Sequence, residues 1–119
     1  MKKPSETYNP FDIVVIPFPF TDNLAHSKLR PAVVLSHHGN YSRHTGHVIC
    51  AMITSARKSA WPMDVKITDL KSAGLEVECV IRMKIFSLDE RFIVRKAGAL
   101  EKKDRKSLKD ALKASIPLL

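Results

Sequence analysis

The sequence predicts a mainly β protein (β-rich α+β), a small β-barrel that carries one α-helix at its C-terminal end. Short apolar runs follow one another at close spacing between polar turn segments, which is typical of a compact β unit. One stretch near the end of the chain instead repeats its apolar residues with helical spacing. The chain has 119 residues, which is the length of one domain with a core of its own.

Six segments are predicted as strands because they are rich in β-branched residues or alternate in polarity. In chain order they cover residues 11–20, 31–36, 47–54, 63–67, 78–85 and 92–94. Pro17 and Pro19 indicate an edge or a bend in the first strand, since proline donates no ladder hydrogen bond. Residues 1–9 are predicted to form a flexible leader, and residues 10–119 the single barrel domain.

The other segments predict turns and one helix. Residues 37–46 are expected to hold a turn of helix, residues 69–74 a turn or short helix closed by glycine, and Gly98 a break. The main helix is predicted over residues 101–116, where the lysines face water and Pro117 ends the element. Its apolar stripe comprises Leu108, Ala111, Leu112, Ser115 and Ile116.

The composition bounds the partners and the compartment. The formal net charge is +8, from 20 Lys and Arg against 12 Asp and Glu, which favours polyanionic partners, although a lysine-rich helix is the simpler explanation. The N-terminus lacks the apolar stretch of a targeting signal, and no apolar run approaches the ~20 residues of a membrane-spanning helix. Cys50 and Cys79 are predicted to be reduced core residues, which favours a cytoplasmic protein. Neither a metal site nor a cofactor is predicted.

Two short segments offer groups for an anionic ligand. Arg30 precedes Pro31, which biases the arginine toward an extended backbone. A guanidinium held there suits a phosphate bidentately, and the alternative is a surface arginine in a local salt bridge. Thr54 and Ser55 end an apolar strand, where hydroxyls either bind a ligand or cap the strand.

A further cationic pair, Arg82 and Lys84, lies on one face of the predicted strand 78–85. Neighbouring cations repel, so an anion over them would explain the pair. The alternative is a solvated face with Glu78 as the partner. Among the five histidines, only His26 is kept as a candidate acid or base, because the unperturbed pKa of histidine is close to neutrality.

Seven short segments, in this order and at this spacing, resemble the MazF/PemK family of toxin ribonucleases. They are the strand at 12–21, Arg-Pro-Ala-Val-Val-Leu-Ser at 30–36, a strand ending in Thr-Ser at 50–55, Gly-Leu at 74–75, Val-Ile-Arg at 80–82, Leu-Asp at 88–89 and Gly-Ala-Leu at 98–100. Each motif alone is weak, but the ordered set is specific and, with the terminal helix, covers nearly the whole chain.

The resemblance implies an SH3-like barrel with a C-terminal helix, usually a homodimer, that cuts single-stranded RNA without a metal and is blocked by an antitoxin protein. Cleavage would use the RNA 2′-OH and leave a 2′,3′-cyclic phosphate and a 5′-OH. The family's catalytic arginine falls on Arg30 and its catalytic threonine on Thr54. In some members a later arginine takes part, and it falls on Arg82.

Sequence choice is expected to come from two loops around the groove, residues 21–29 and 55–62. The predicted substrate-binding residues are His26, Ser27, Lys28, Ser55, Arg57, Trp61 and Lys84. Trp61 is a candidate for stacking on an RNA base, and packing against the barrel rim is the alternative.

Two positions depart from the family pattern. Phe11 stands where a glycine usually precedes the acidic residue of the first strand, and Lys84 stands where some members have a catalytic aspartate. The second departure puts in doubt any mechanism that needs a carboxylate base at that place. Two other functions remain open: a non-enzymatic inhibitor with the same fold, as in the CcdB relatives, and an RNA-binding barrel without catalysis.

Overall fold

The computed structural model describes residues 6–19, 27–57 and 60–118. The strands are β1 (Asp12–Phe18), β2 (Lys28–Val34), β3 (His47–Ser55), β4 (Val65–Lys66), β5 (Cys79–Asp89) and β6 (Arg95–Ala99). The helices are α1 (Arg43–Thr45), which follows a π-helical turn at His38–Ser42, α2 (Leu70–Ala73) and α3 (Lys102–Ser115), and a 3-10 turn covers Glu90–Phe92.

The strands form one antiparallel sheet in the order β4-β5-β3-β2-β1-β6, curled into a small barrel-like body. This architecture, with α3 at the end of the chain, confirms the predicted mainly β fold. β6 pairs with β1 only from Asp12 to Val15, whereas β2 pairs with β1 as far as Phe18. Pro17 lies in the stretch that β6 does not reach, where a missing N–H is tolerated.

Both faces of the sheet are buried, each by its own apolar cluster. One cluster contains Ile13 and Val33 and extends to α3 through Leu108. The other contains the neighbouring residues Val14 and Ala32. Successive side chains of a strand point to opposite faces, so strands buried on both sides need apolar residues at almost every position. This explains the uninterrupted apolar runs of β1 and β3 and of the second half of β2.

The two cysteines lie inside this core. Cys50 and Cys79 are buried free thiols, as predicted. Burial raises the pKa of Cys50 to about 12 and raises the pKa of Cys79 above its usual value. Both thiols are therefore protonated at neutral pH and act as small apolar side chains.

Three strands differ from the prediction. β2 begins at Lys28 rather than at residue 31, so that Arg30 lies within the strand. β4 is only Val65–Lys66, because Met63 has a φ of 66° and cannot belong to a strand. β5 runs past residue 85 to Asp89, and its pairing with β3 shifts register. Beyond the shift a strict alternation of faces, which would place Ile85 on the same face as the buried Ile81, is not kept, because Ile85 is 36% exposed.

The segment after β5 also differs. Residues 92–94 were expected to be a strand, but Glu90–Phe92 forms the 3-10 turn, capped by the Asp89 carboxylate, and the strand β6 follows it. Gly98 is not a break, because it lies inside β6. A Cβ at Gly98 would stand 2.3 Å from the carbonyl oxygen of Ser72. The glycine therefore lets the chain of α2 pass close to β6.

The leader expected over residues 1–9 falls partly outside the described residues. In its described part Tyr8 is fully buried in the second apolar cluster. The Asn9 backbone N–H donates to Asp12 Oδ2 at 2.8 Å, and the Asn9 side-chain oxygen accepts from the His38 backbone N–H at 3.3 Å. The last residues before β1 are thus held to the body of the domain.

α3 follows the prediction closely. Glu101 caps its first turn by accepting from the Lys103 backbone N–H at 2.9 Å, and the helix ends before Pro117. Leu108 and Ala111 are buried, whereas Ser115, expected on the same stripe, is exposed. Of the helices described, none has the length and apolar character that crossing a bilayer requires.

A buried carboxylate fastens α3 to the turn before α2. Asp104 is 1% exposed and was not predicted as a core residue. Its Oδ1 accepts from the Thr68 hydroxyl at 2.7 Å, and its Oδ2 accepts from the backbone N–H groups of Thr68 and Asp69 at 2.9 and 3.1 Å. These charge-assisted bonds give the buried carboxylate three hydrogen-bond donors.

We expect Asp104→Asn to lower the free energy of unfolding by roughly 1–3 kcal/mol, because its buried amide cannot accept all three hydrogen bonds and faces backbone N–H donors with a donor of its own. Urea denaturation of the purified protein measures this. Asp110→Asn on the same helix is the matched control, since Asp110 is exposed and pairs only with Lys106 on the surface. Equal denaturation midpoints for the two variants would contradict the role of Asp104.

Candidate functional site

A groove of about 290 Å³ opens on the sheet face formed by β1, β2, β3 and β5. We call it the cationic groove. Its lining residues are Phe18, Arg30, Met52, Ile53, Thr54, Trp61, Arg82 and Lys84. Of the residues predicted to act on RNA, five therefore meet in one place, namely Arg30, Thr54, Trp61, Arg82 and Lys84.

Strand register brings Arg30 and Thr54 together. β2 and β3 pair Ala32 with Met52 in an antiparallel ladder. The ladder ends at this pair, and extending its register by two residues places Arg30 level with Thr54. Side chains two positions apart share a face, so both lie on the face of Ala32 and Met52. Residues far apart in sequence thus become neighbours at the point where the apolar ladder ends.

Arg30 is exposed, and its guanidinium has neither an ion pair nor a side-chain hydrogen bond with any residue that the structure describes. The local salt bridge considered as an alternative is therefore not found in this part of the chain. In the ladder between β2 and β1, Arg30 pairs with Ile16, which is buried. The core therefore holds the strand that carries Arg30. The guanidinium is well placed to meet an external anion.

Arg82 is in a different state, because it is buried and already paired. Its Nε donates to Asp64 Oδ1 at 3.2 Å and its Nη2 to Asp64 Oδ2 at 3.0 Å. The carboxylate raises the pKa of Arg82, and the guanidinium lowers the pKa of Asp64. The expected alternative partner Glu78 is wrong, because the partner is Asp64. An anion over Arg82 and Lys84 is therefore not required to explain why these two cations stand together.

Trp61 and Lys84 complete the wall of the groove. The Arg82 guanidinium lies 5.0 Å from the centroid of the Trp61 ring, and Lys84 Nζ lies 5.6 Å from that of Phe18. Trp61 is nevertheless 43% exposed. The two expectations for Trp61 are thus not exclusive: the indole packs against the wall and still presents surface to the groove.

The other predicted substrate-binding residues lie outside the groove. Ser55 and Arg57 line a separate pocket with Val77 and Glu78, because Ser55 alternates with Thr54 and faces the other way. The Ser55 hydroxyl accepts from the Arg57 backbone N–H at 3.3 Å, as a turn-forming residue does.

At the start of β2, Lys28 is exposed and pairs with Phe18 across the ladder, and Ser27 directly precedes it. Neither residue lines the cationic groove. His26 lies outside the described residues. Of the loop predicted over residues 21–29, the described residues 27–29 do not line the groove.

Asp64, the partner of Arg82, was not identified from the sequence as part of this site. It was assigned to a strand, whereas it ends a turn in which its own N–H donates to the Trp61 carbonyl oxygen at 3.3 Å and its Oδ2 accepts from the Trp61 backbone N–H at 2.9 Å. An aspartate two positions after proline in Trp-Pro-Met-Asp is a local signal for such a turn. Its pairing with Arg82 is long-range and has no comparable signal.

The chain matches one protein family over most of its length. The family model described as "PemK-like, MazF-like toxin of type II toxin-antitoxin system" matches residues 9–116. No curated protein gives a significant match to the chain.

Several solved structures share the fold. A MazE-MazF complex from Deinococcus radiodurans is 22% identical, with a TM-score of 0.73, and the match covers 94% of this chain and 98% of that one. An endoribonuclease in complex with its cognate antitoxin from Mycobacterial species is 15% identical, with a TM-score of 0.72 and coverages of 95% and 98%. The Mycobacterium tuberculosis toxin MazF-mt6 is 18% identical, with a TM-score of 0.69 and coverages of 89% and 96%.

The family model spans the strands that build the cationic groove and the helix that closes the domain. The resemblance found in the ordered sequence motifs is thereby confirmed over nearly the whole chain. This protein belongs to the PemK-like, MazF-like family of toxins of type II toxin-antitoxin systems.

Proposed function

We propose that this toxin is an endoribonuclease that cleaves single-stranded RNA in the cationic groove, without a metal, through the RNA 2′-OH. The observation that carries the proposal is the juxtaposition of Arg30 and Thr54 on neighbouring strands, with Arg30 unpaired among the described residues. The net charge of +8 supports a polyanionic substrate. Two structural neighbours are named endoribonuclease or MazF toxin, which agrees with this activity.

The chemistry needs charge relief more than it needs an added nucleophile. The 2′-OH of RNA attacks the adjacent phosphorus and gives its proton to solvent, and negative charge grows on the nonbridging oxygens of the phosphorane. The bond from phosphorus to the 5′-oxygen then breaks, and that oxygen takes up a proton from Lys84 or from solvent. Arg30 would neutralise that charge through planar, bidentate hydrogen bonds. The Thr54 hydroxyl would donate to one nonbridging oxygen and fix the scissile phosphate. Lys84, or Arg82, would add charge near the 5′-oxygen leaving group.

A carboxylate base is not part of the proposal. Neither Asp nor Glu is among the described residues that line the groove. Asp64 is joined to the groove lining through its ion pair with Arg82. That arginine lowers the pKa of Asp64 and so weakens the carboxylate as a proton acceptor. Positioning and electrostatic stabilisation therefore supply the proposed rate enhancement, with the products a 2′,3′-cyclic phosphate and a 5′-OH.

The toxin is proposed to have two protein partners, a cognate antitoxin and a second copy of itself. A cognate antitoxin would cover the groove, as structural neighbours solved as MazE-MazF complexes suggest. A cytoplasmic homodimer is proposed as the active form. A single copy leaves large apolar side chains exposed, among them Leu29 at 60% and Val77 at 59%, and a second copy would cover such surface.

The reaction class is tested on labelled single-stranded RNA in EDTA. We expect cleavage to persist without metal ions and to yield a cyclic phosphate. We expect it to stop where the nucleotide on the 5′ side of the cut carries a 2′-deoxy sugar, because the nucleophile is then missing. Cleavage that ignores the missing hydroxyl would reject the mechanism. Salt-dependent binding without any product would instead support an RNA-binding barrel without catalysis.

We expect Arg30→Ala and Thr54→Val each to lower kcat roughly 100- to 1,000-fold, because each removes one donor to the developing phosphorane charge. Thr54→Ser keeps the hydroxyl and should retain most activity, and Arg30→Lys should fall between wild type and alanine. Arg43→Ala is the surface control, because Arg43 is exposed on α1, beyond the opposite end of β2. Near-wild-type rates for both Arg30→Ala and Thr54→Val would refute the assignment.

Trp61→Ala is expected to raise KM for RNA, with a loss of binding of about 1–3 kcal/mol if the indole stacks on one base. Trp61→Phe should lose less, since it keeps a π-face. Fluorescence anisotropy with a 2′-deoxy substrate analogue measures binding without cleavage. An unchanged KM and an unchanged affinity for Trp61→Ala would assign the indole to wall packing alone.

A further inference from the structure

We propose that Asp64 is a positioning residue of the cationic groove, which holds the Arg82 guanidinium and the Trp61 indole in one fixed arrangement. The inference rests on the proposed function, since the two groups it positions belong to the proposed RNA site. Asp64 itself does not line the groove. It would act on RNA only through its two neighbours.

Asp64 contacts both neighbours with the same carboxylate. Its Oδ1 accepts from Arg82 Nε at 3.2 Å, and its Oδ2 accepts from Arg82 Nη2 at 3.0 Å. Oδ2 also accepts from the Trp61 backbone N–H at 2.9 Å. One oxygen thus joins a side chain of β5 to the turn that carries the indole, so the two groups cannot move independently.

The pair is shielded well enough for these bonds to restrict motion. The Arg82 and Asp64 side chains are 9% and 14% exposed. Charge-assisted, bidentate hydrogen bonds out of bulk water fix both distance and plane. The plane matters here, because the guanidinium lies 5.0 Å from the centroid of the indole, within the reach of a cation–π contact. Fixing the guanidinium therefore fixes the face that the indole turns toward the groove.

An asparagine in place of Asp64 would have nearly the same shape without the negative charge. We expect the substitution to lower kcat while it leaves KM unchanged or lower. The asparagine amide nitrogen cannot accept from Arg82, so the guanidinium loses one of the two hydrogen bonds to this side chain and the negative charge opposite it. The added positive charge should maintain or strengthen the attraction for RNA. The loosened wall should lower the rate of the chemical step, because a misplaced phosphate reacts slowly.

The experiment compares wild type with Asp64→Asn and with Asp89→Asn as the matched control. Asp89 also forms a close ion pair, with Arg91 at 2.8 Å, but neither residue lines the groove. We expect Asp64→Asn to lower kcat by roughly 10- to 100-fold with KM unchanged or lower, and Asp89→Asn to leave both constants at wild-type values. Thermal melting curves establish that both variants are folded.

Trp61 provides a readout that needs no RNA. It is the only tryptophan of the chain, so emission excited at a wavelength that tyrosine does not absorb reports on the groove wall alone. We expect Asp64→Asn to shift the emission to longer wavelength and to increase quenching by acrylamide, because the indole leaves the guanidinium and becomes more exposed. Asp89→Asn should match wild type in both measurements.

A second variant keeps the test valid if the loss of the Asp64–Arg82 ion pair destabilises Asp64→Asn. In an Arg82→Gln background the charge is gone, and adding Asp64→Asn should change kcat less than about twofold, because residues that act as one unit are not additive. Equal losses with and without Arg82 would overturn the inference, as would wild-type fluorescence and kcat for Asp64→Asn. If wild type does not cleave RNA, the proposed function fails, and the fluorescence arm alone decides whether Asp64 positions the wall.

Discussion

The register of β2 against β1 and β3 is the constraint on which the groove depends. The sheet is buried on both faces, so a slip of β2 by one residue would move its apolar side chains from one cluster to the other and would turn Arg30 to the face opposite Thr54. The core therefore determines which polar side chains meet at the end of the ladder. Removing either Arg30 or Thr54 should leave the fold intact, because neither is part of either cluster.

The three cations of the groove are not equivalent. Arg82 is neutralised by Asp64, whereas Arg30 and Lys84 have no ion pair among the described residues. The field that an approaching phosphate meets thus comes mainly from Arg30 and Lys84. A guanidinium tied to a carboxylate contributes shape and orientation more than net charge. The difference separates Arg82, which is paired with Asp64 and packed against Trp61, from Arg30 and Lys84, which would meet a bound anion directly.

The sequence was sufficient for what local patterns and ordered motifs encode. The strand runs, α3 and the placement of Arg30 with Thr54 follow from apolar periodicity and from motif order. It was insufficient for Asp64 and Asp104, because each is defined by a partner distant in sequence, Arg82 and Thr68 respectively.

Two errors have a different origin. Phe-Ile-Val at residues 92–94 is a strand-like run, but its first residue belongs to the 3-10 turn that Asp89 caps, and tertiary packing prevails over propensity. Gly98 was interpreted as a break because glycine commonly punctuates structure. Its actual role is spatial, since a neighbouring carbonyl oxygen occupies the place of a Cβ. Neither the cap nor the close approach is visible in a short sequence window.

The position of Asp64 helps to explain why a lysine rather than a carboxylate stands at position 84 in the proposed RNA site. A phosphodiester carries one negative charge and its phosphorane two, so a groove gains most from positive charge that can approach as the second charge develops. Lys84 has a flexible stem beside Phe18 and a strongly hydrated ammonium, and it can follow the phosphate. A carboxylate at the same place would oppose that charge. Asp64 neutralises Arg82 and does not itself line the groove. No acidic residue in the lining is therefore needed to hold that arginine.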